Sequence, residues 1–495
     1  MTNTAAYYVT TAIPYVNARP HLGFALELVI ADALARHRRA RGRDVRFVTG
    51  TDEHSLKNVL AAERSGVPVE RLVAEHAEAF RGLRTLLDLS TDDFVRTSVD
   101  ARHAPVVHEL WRACAQRGDL YRDTYRGLYC VGCERFYEPA ELPDGRCPEH
   151  ETPPEAIEED NWFFRLSRYR EQLLDAIVSG RLCIEPEAAR EETLAFLRGP
   201  VRDLSVSRSA HRSHGFGLRV PGDDSQVIYV WFDALAYYLA ALTGNDAPWS
   251  WAGASERVHV IGKGISRFHT VFWPAFLASA GLPWPTRVLV HGYLTVDGAK
   301  LAKSGRSLDP GPLVERFGVD AVRYYLLHQI RTTRDGDFRE ERLISAHDAQ
   351  LANGLGNLVS RVLALVERLA GGVVPAAGPE DADHADDAVV RTAARALPGE
   401  IDDAVGRFAL DEALSAVFRL VDAANRHVVR TAPWQLARDG QPERVEAVLR
   451  AQLDTLGVIA DELAPFLPGA AARLRTLLDT RPLVRGAQLF PRLAA

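Results

Sequence analysis

At 495 residues the chain has room for about three domains, and 47% hydrophobic with 25% charged residues is an ordinary globular balance. The 59 Lys plus Arg against 66 Asp plus Glu leave a formal net charge of −7, which excludes a uniformly basic coat for nucleic acid but not a local basic groove. No apolar run reaches about 18 residues, and the opening MTNTAAYYVTTAIPYVNARP has neither a basic n-region nor an apolar h-region, so neither a membrane span nor a secretory leader is expected.

Tyr7 to Ala12 reads as a β-rich apolar run, followed by a polar loop with Pro14, Asn17 and Pro20. Apolar positions at helical spacing then run from about Phe24 to Arg41, with Gly42 as C-cap, and Asp44 to Thr49 reads as the next strand. Strand, helix, strand in this order predicts a parallel sheet with ligands at the carboxyl ends of its strands. The basic run Ala35 to Arg43 falls at the helix end, where cations offset the macrodipole; an RNA contact is the alternative. From about Asp119 to Pro221 short strands, prolines and clustered cysteines interrupt the alternation and suggest an inserted domain. The α/β pattern returns with a strand Val227 to Phe232 and continues to about Leu294. After Arg342 the period is almost wholly helical, broken from about Gly371 to Asp387 by an acidic, proline-containing stretch read as a solvated loop.

Four constellations carry chemistry. Pro20-His21-Leu22-Gly23-Phe24 stands at a helix amino terminus, whose N–H groups and partial positive charge suit a phosphate. His21 can donate to phosphate oxygens, and Gly23 lets a flat base lie on the backbone, although a structural turn explains the same residues. Lys300-Leu301-Ala302-Lys303-Ser304, between Gly298 and Gly305, places two lysines where one loop turn meets a polyphosphate; an ordinary solvated loop is the plainer reading. Cys130-x-x-Cys133, thirteen residues, then Cys147-x-x-His150 has the spacing of a tetrahedral Cys₃His zinc knuckle, with a closed ligand shell and hence a structural metal. Cys114 and Cys183 read as buried thiols. Tyr229 to Tyr238 reads as a strand passing into a helix, offering Trp231, Ala234, Leu235 and Tyr238 to a pocket or to plain core. Asp52, in Thr-Gly-Thr-Asp-Glu-His54, ends the second strand as an ammonium ligand or as a helix N-cap.

Together these residues resemble the methionyl-tRNA synthetases, class I aminoacyl-tRNA synthetases of the short form with one zinc knuckle. His21-Leu-Gly23 looks like the HIGH signature and Lys300 to Ser304 like KMSKS, in the right order over nearly the whole chain. The resemblance implies an α/β plus all-α chain. A split Rossmann catalytic domain (1–118 and 223–296) carries a zinc-knuckle insertion (119–222), a KMSKS-loop linker (297–345) and a helical-bundle anticodon domain (346–495). It implies activation of L-methionine by Mg²⁺-ATP and transfer to tRNA(Met), with structural Zn²⁺, in a cytoplasmic monomer. His21, Lys300 and Lys303 would be catalytic, and Gly23, Glu27 and Ser304 would complete the ATP site. Ala12, Ile13, Tyr15, Trp231, Ala234, Leu235, Tyr238 and His269 would surround the methionine side chain, Asp52 would hold its ammonium group with Arg208 nearby, and the tyrosine hydroxyl would give the sulfur a weak partner. Asn357, Arg361 and Trp434 would read a CAU anticodon by edge contacts and stacking. Five positions depart from the family pattern: Phe24, Leu301 with Ala302, Gly264 and Ser55. They point to a divergent or second copy, the alternative being a paralogue that adenylates a methionine-like amino acid for a non-tRNA amine.

Overall fold

The computed structural model describes residues 6–130, 135–137, 139–148, 152–244, 250–296, 299–300, 308–375 and 384–493. They fall into two compact units.

The first unit comprises Met1–Pro20, Gly42–Arg84 and Ser90–His291. At its centre is a parallel sheet of six strands: β1 (Tyr7–Thr11), β2 (Val45–Thr51), β3 (Asp93–Arg96), β4 (Cys183–Glu185), β5 (Glu256–Gly262) and β6 (Arg287–His291), in spatial order β3-β2-β1-β5-β6-β4. All five residues of β1 are buried, as a parallel strand covered on both faces requires. β1 pairs Val9 with Val258 of β5 and with Phe47 of β2. Gly50 of β2 has no alternative, since a Cβ there would lie 2.1 Å from the Val95 carbonyl oxygen of β3. The strand order reverses between β1 and β5, so the crevice at their carboxyl ends is the natural ligand position.

Between β3 and β5 the strands other than β4 pair antiparallel. Leu120–Cys130 pairs with Glu155–Phe164 from Leu120↔Phe164 to Tyr129↔Glu155. A second small sheet joins Ser207–Ser209, Arg219–Val220 and Asp223–Ile228. The latter strand corrects the expected one at Val227 to Phe232: it ends at Ile228, lies outside the parallel sheet, and Val230–Leu235 is a helix. The run is apolar on every face, so its period does not separate a buried strand from a buried helix.

The second unit comprises His21–Arg41, Thr85–Leu89 and Gly292–Ala495. Its first helix, Leu22–Ala40, starts two residues before the expected boundary because the His21 side chain caps it. Gly42, in the first unit's chain segment, takes the left-handed φ of 71° that closes such a helix. The basic run is engaged by internal ion pairs: Arg36 with Asp32 at 2.8 Å, and Arg41 with Asp402 and Glu462, both at 2.7 Å. Arg323 and Asp32, both fully buried, meet at 2.8 Å, and Arg323 also donates to the carbonyls of Leu87 and Phe466. One guanidinium thus ties three parts of the unit together. Long helices follow, among them Asn357–Ala370, Ala385–Gly406, Leu410–Thr431 and Pro442–Leu463. Among the described residues no helix is long and apolar enough to cross a membrane.

Candidate active site

At the carboxyl end of β1 the chain presents Ala12 and Ile13, and Tyr15 forms a parallel bridge with Asp52 just beyond β2. Asp52 is 2% exposed; its amide donates to the Pro14 carbonyl at 2.9 Å and its Oδ1 accepts from the His54 amide at 3.3 Å. The N-cap alternative for Asp52 falls to Ser55, whose hydroxyl accepts from the Lys57 amide and starts the helix Leu56–Ser65. Glu53 is fully buried and held by Arg96 at 2.7 Å, by Thr51 and by Ser98, and Asn58 donates to the carbonyls of Asp52 and Glu53. The loop carrying Asp52 is therefore anchored residue by residue.

The opposite wall comes from Trp231, Ala234 and Leu235 on the helix Val230–Leu235, Tyr238 on Tyr237–Ala240, and His269 on the π-helical turn Phe268–Phe272 after β5. These residues meet. Tyr15 stands edge-on to Trp231 with ring centroids 6.3 Å apart, and Trp231 stacks on Phe268 at 3.7 Å and stands edge-on to His269 at 6.2 Å. The Tyr238 hydroxyl lies 2.8 Å from His269 Nε2. His269 Nδ1 lies 3.0 Å from the Ile265 carbonyl, which only a donor can satisfy, so Nε2 accepts and the Tyr238 hydrogen points to it. Burial pulls His269 down to about 4, so the ring is neutral at pH 7. His259, beneath the Tyr238 ring at 3.9 Å, is also pulled well down, by burial first and then by His269 and Arg257. The Tyr238 hydroxyl hydrogen is thereby committed to His269.

Sequence reasoning missed a buried carboxylate in this wall. Asp233, 1% exposed, receives His54 Nδ1 at 2.7 Å on one oxygen and His103 Nε2 at 2.5 Å on the other. The available signal was a charged residue inside the apolar run Tyr229 to Tyr238; nothing in the sequence marked His103. Arg208 sets its guanidinium 4.3 Å from the Tyr229 ring and lines, with His54, Arg212 and Phe216, a small cavity of about 40 Å³.

In the second unit, His21 Nδ1 accepts from the Phe24 amide at 3.4 Å, which leaves the ring hydrogen on Nε2. Gly23 and Glu27 follow on the same helix, Glu27 buried. The Leu22 amide donates to the Leu308 carbonyl at 2.8 Å, so the chain leaving the lysine loop is tied beside His21. Ala299–Lys300 forms a strand paired with Leu294–Val296; Lys303 and Ser304 lie outside the described residues. Asn357 and Arg361 are one helical turn apart, and the Arg361 guanidinium sits 5.4 Å from the Trp434 ring, so the three proposed base readers share one face. Of the four knuckle residues, Cys130 and Cys147 are described, both buried in a small cluster with Tyr137 and Leu142. Cys133 and His150 lie outside the described residues, and among those described no group of three or more His, Cys, Asp or Glu is arranged to hold a metal.

A parallel sheet of this order, aromatic residues gathered at its switch point and a helical C-terminal region are the architecture expected of a class I aminoacyl-tRNA synthetase. A family model described as tRNA synthetases class I (M) matches residues 7–153 and 132–363. A methionine–tRNA ligase of Rhizobium meliloti is 40% identical over 489 residues, covering 97% of this chain and 92% of its own length. One of Brucella suis is 40% identical over 483 residues, covering 95% and 91%. The crystal structure of Mycobacterium tuberculosis methionyl-tRNA synthetase bound by methionyl-adenylate matches with a TM-score of 0.92 at 36% identity, over 98% of this chain and all of that one. The chain belongs to the methionyl family of class I tRNA synthetases.

Proposed function

We propose that the chain is a methionine–tRNA ligase working through the residues described above. A carboxylate oxygen of L-methionine attacks the α-phosphorus of ATP, the bond to the β-phosphate oxygen breaks, and pyrophosphate leaves. A terminal ribose hydroxyl of tRNA(Met) then attacks the carbonyl carbon of methionyl-adenylate, and AMP departs. The observation that carries this reading is the convergence of Tyr15, Trp231, Tyr238 and His269 at the switch point of the sheet. It occurs in a chain 36% identical to a protein solved with methionyl-adenylate.

The apolar box, with Ala12, Ile13, Ala234 and Leu235, takes the thioether, whose polarizable sulfur suits aromatic walls. Both histidines at the box are neutral at pH 7, so no buried cation opposes an apolar ligand. Asp52 supplies the only anion needed at the ammonium end. His21 Nε2, Lys300, Lys303 and Ser304 serve the phosphates, where charge grows as pyrophosphate leaves, and Gly23 and Glu27 serve the adenosine. ATP would enter as its magnesium complex, the metal offsetting part of the triphosphate charge that His21, Lys300 and Lys303 meet. Asn357, Arg361 and Trp434 read the anticodon.

Buried thiols at Cys130 and Cys147 fit a zinc site, which Cys133 and His150 would complete. With four protein ligands such a metal would be structural and would leave no open position for catalysis. The protein acts as a cytoplasmic monomer. Methionine-dependent ATP–pyrophosphate exchange and charging of a CAU-anticodon tRNA test the reading; silence in exchange with methionine refutes it.

A further inference from the structure

The proposed methionine pocket is assembled from separate pieces of chain. Asp52 follows β2, whereas Trp231, Ala234 and Leu235 ride on the helix Val230–Leu235. Six residues are far too few for a helix to hold itself, and no side chain caps this one. Its placement must come from tertiary contacts. Phe232 packs against Trp111 at 5.4 Å and Phe276 at 4.6 Å, which sets depth with little directionality. Trp231 adds no polar anchor, because its buried Nε1 meets no acceptor among the described residues and its ring is held by the stack on Phe268.

The directional contact is Asp233. One of its oxygens binds His54, two residues from Asp52, and the other binds His103 on the helix His103–Gln116. The His54 amide in turn binds Asp52 Oδ1. A single carboxylate therefore connects the ammonium end of the pocket with its side-chain wall. We propose that Asp233, through His54, is a positioning residue for methionine: it fixes how far the Trp231 wall stands from Asp52. The inference rests on the function proposed above.

The charges agree with this geometry. Burial alone would raise the Asp233 carboxyl, but His54 and His103 outweigh it and hold it below the usual carboxylate range. Burial would lower His54, but Asp233, followed by Glu53, raises it instead. The contact is nearly closed to solvent, its two side chains 9% and 2% exposed, and at 2.7 Å it is directional. His103 Nδ1 is buried and finds no partner among the described residues, so His103 is held at this site through its Nε2 contact with Asp233.

The test is ATP–pyrophosphate exchange on the full chain with methionine and ATP varied separately, alongside thermal midpoints. Asp233→Asn keeps the shape and removes the charge; His54→Leu removes the donor; His54→Gln restores one. Asp233→Asn and His54→Leu are expected to raise KM for methionine about tenfold, with KM for ATP within about twofold, and His54→Gln to recover most of the loss seen in His54→Leu. A purely structural role would lower the thermal midpoint while the folded protein keeps its methionine KM. That outcome, or an equal rise in both KM values, overturns the inference. If Asp233→Asn does not fold, the two His54 variants decide. A wild-type chain silent with methionine would instead sink the function itself.

Discussion

Removing one oxygen from Tyr238 tests the hydrogen-bond direction at the centre of the pocket. Tyr238 is 1% exposed, and its hydroxyl donates to His269 Nε2 at 2.8 Å; the other acceptor in range, the Thr11 carbonyl, stands at 3.5 Å. In Tyr238→Phe the ring keeps its contacts with His259 at 3.9 Å and Trp273 at 5.7 Å, so the hydroxyl alone is lost. His269 Nε2 is then a buried acceptor without a donor, which costs about 1–3 kcal/mol. Urea unfolding at pH 7 reads that loss, and a double-mutant cycle with His269→Leu should return a coupling of about 1 kcal/mol. The same histidine shapes the acid limb. Its folded pKa is lowered to about 4 from 6.5, so between those values the unfolded chain binds a proton that the folded chain refuses. Stability therefore falls as pH drops through that window, by about 2 kcal/mol from pH 7 to 5 for this group, and His269→Leu removes that share. A Tyr238→Phe loss under about 0.5 kcal/mol, with no coupling in the cycle, would refute the assigned direction.

Three further outcomes are expected. Lys300→Ala and Lys303→Ala should each lower kcat in pyrophosphate exchange by about 10²–10³ while methionine KM holds; a rise in KM for ATP with kcat unchanged would move them to ground-state binding. Metal analysis of the purified chain should find one zinc per chain, lost in Cys147→Ser, and zinc content indifferent to that change would remove the knuckle. Trp434→Ala should weaken charging of a CAU-anticodon tRNA by about tenfold to a hundredfold and leave exchange intact; a collapse of both would make Trp434 a core residue.

Where local period governs, the sequence was readable. β1, the first helix and β2 follow one another within two residues of expectation, because apolar spacing and a glycine at positive φ mark them. The pocket residues after β1 and β5 were legible only through resemblance to a family. Composition cannot say that Tyr15, Trp231 and His269, scattered over the chain, end at one switch point. The misread strand at Val227 to Phe232 shows the same limit from the other side: with every face buried, the pattern carries no period to read.

Two acids in apolar runs show what a single sequence does disclose. Asp32 sits among the apolar residues of the first helix and Asp233 among those of Tyr229 to Tyr238. A bare carboxylate in either place would be prohibitively costly, so the run of residue types by itself implies a buried partner for each. The fold supplies both: Arg323 for Asp32, and His54 with His103 for Asp233. Apart from Arg36, one turn on from Asp32, the partners stay hidden because they lie far away in sequence, 179 and 130 residues in the case of Asp233, and no local rule spans that distance. The chemistry of the partner separates the two roles. An always-charged guanidinium that also donates to the Leu87 and Phe466 carbonyls fastens one fold together. A histidine two residues from Asp52 fastens the proposed ammonium end of the methionine pocket to its proposed wall, and a pocket is where a shift of a fraction of an ångström is read as affinity.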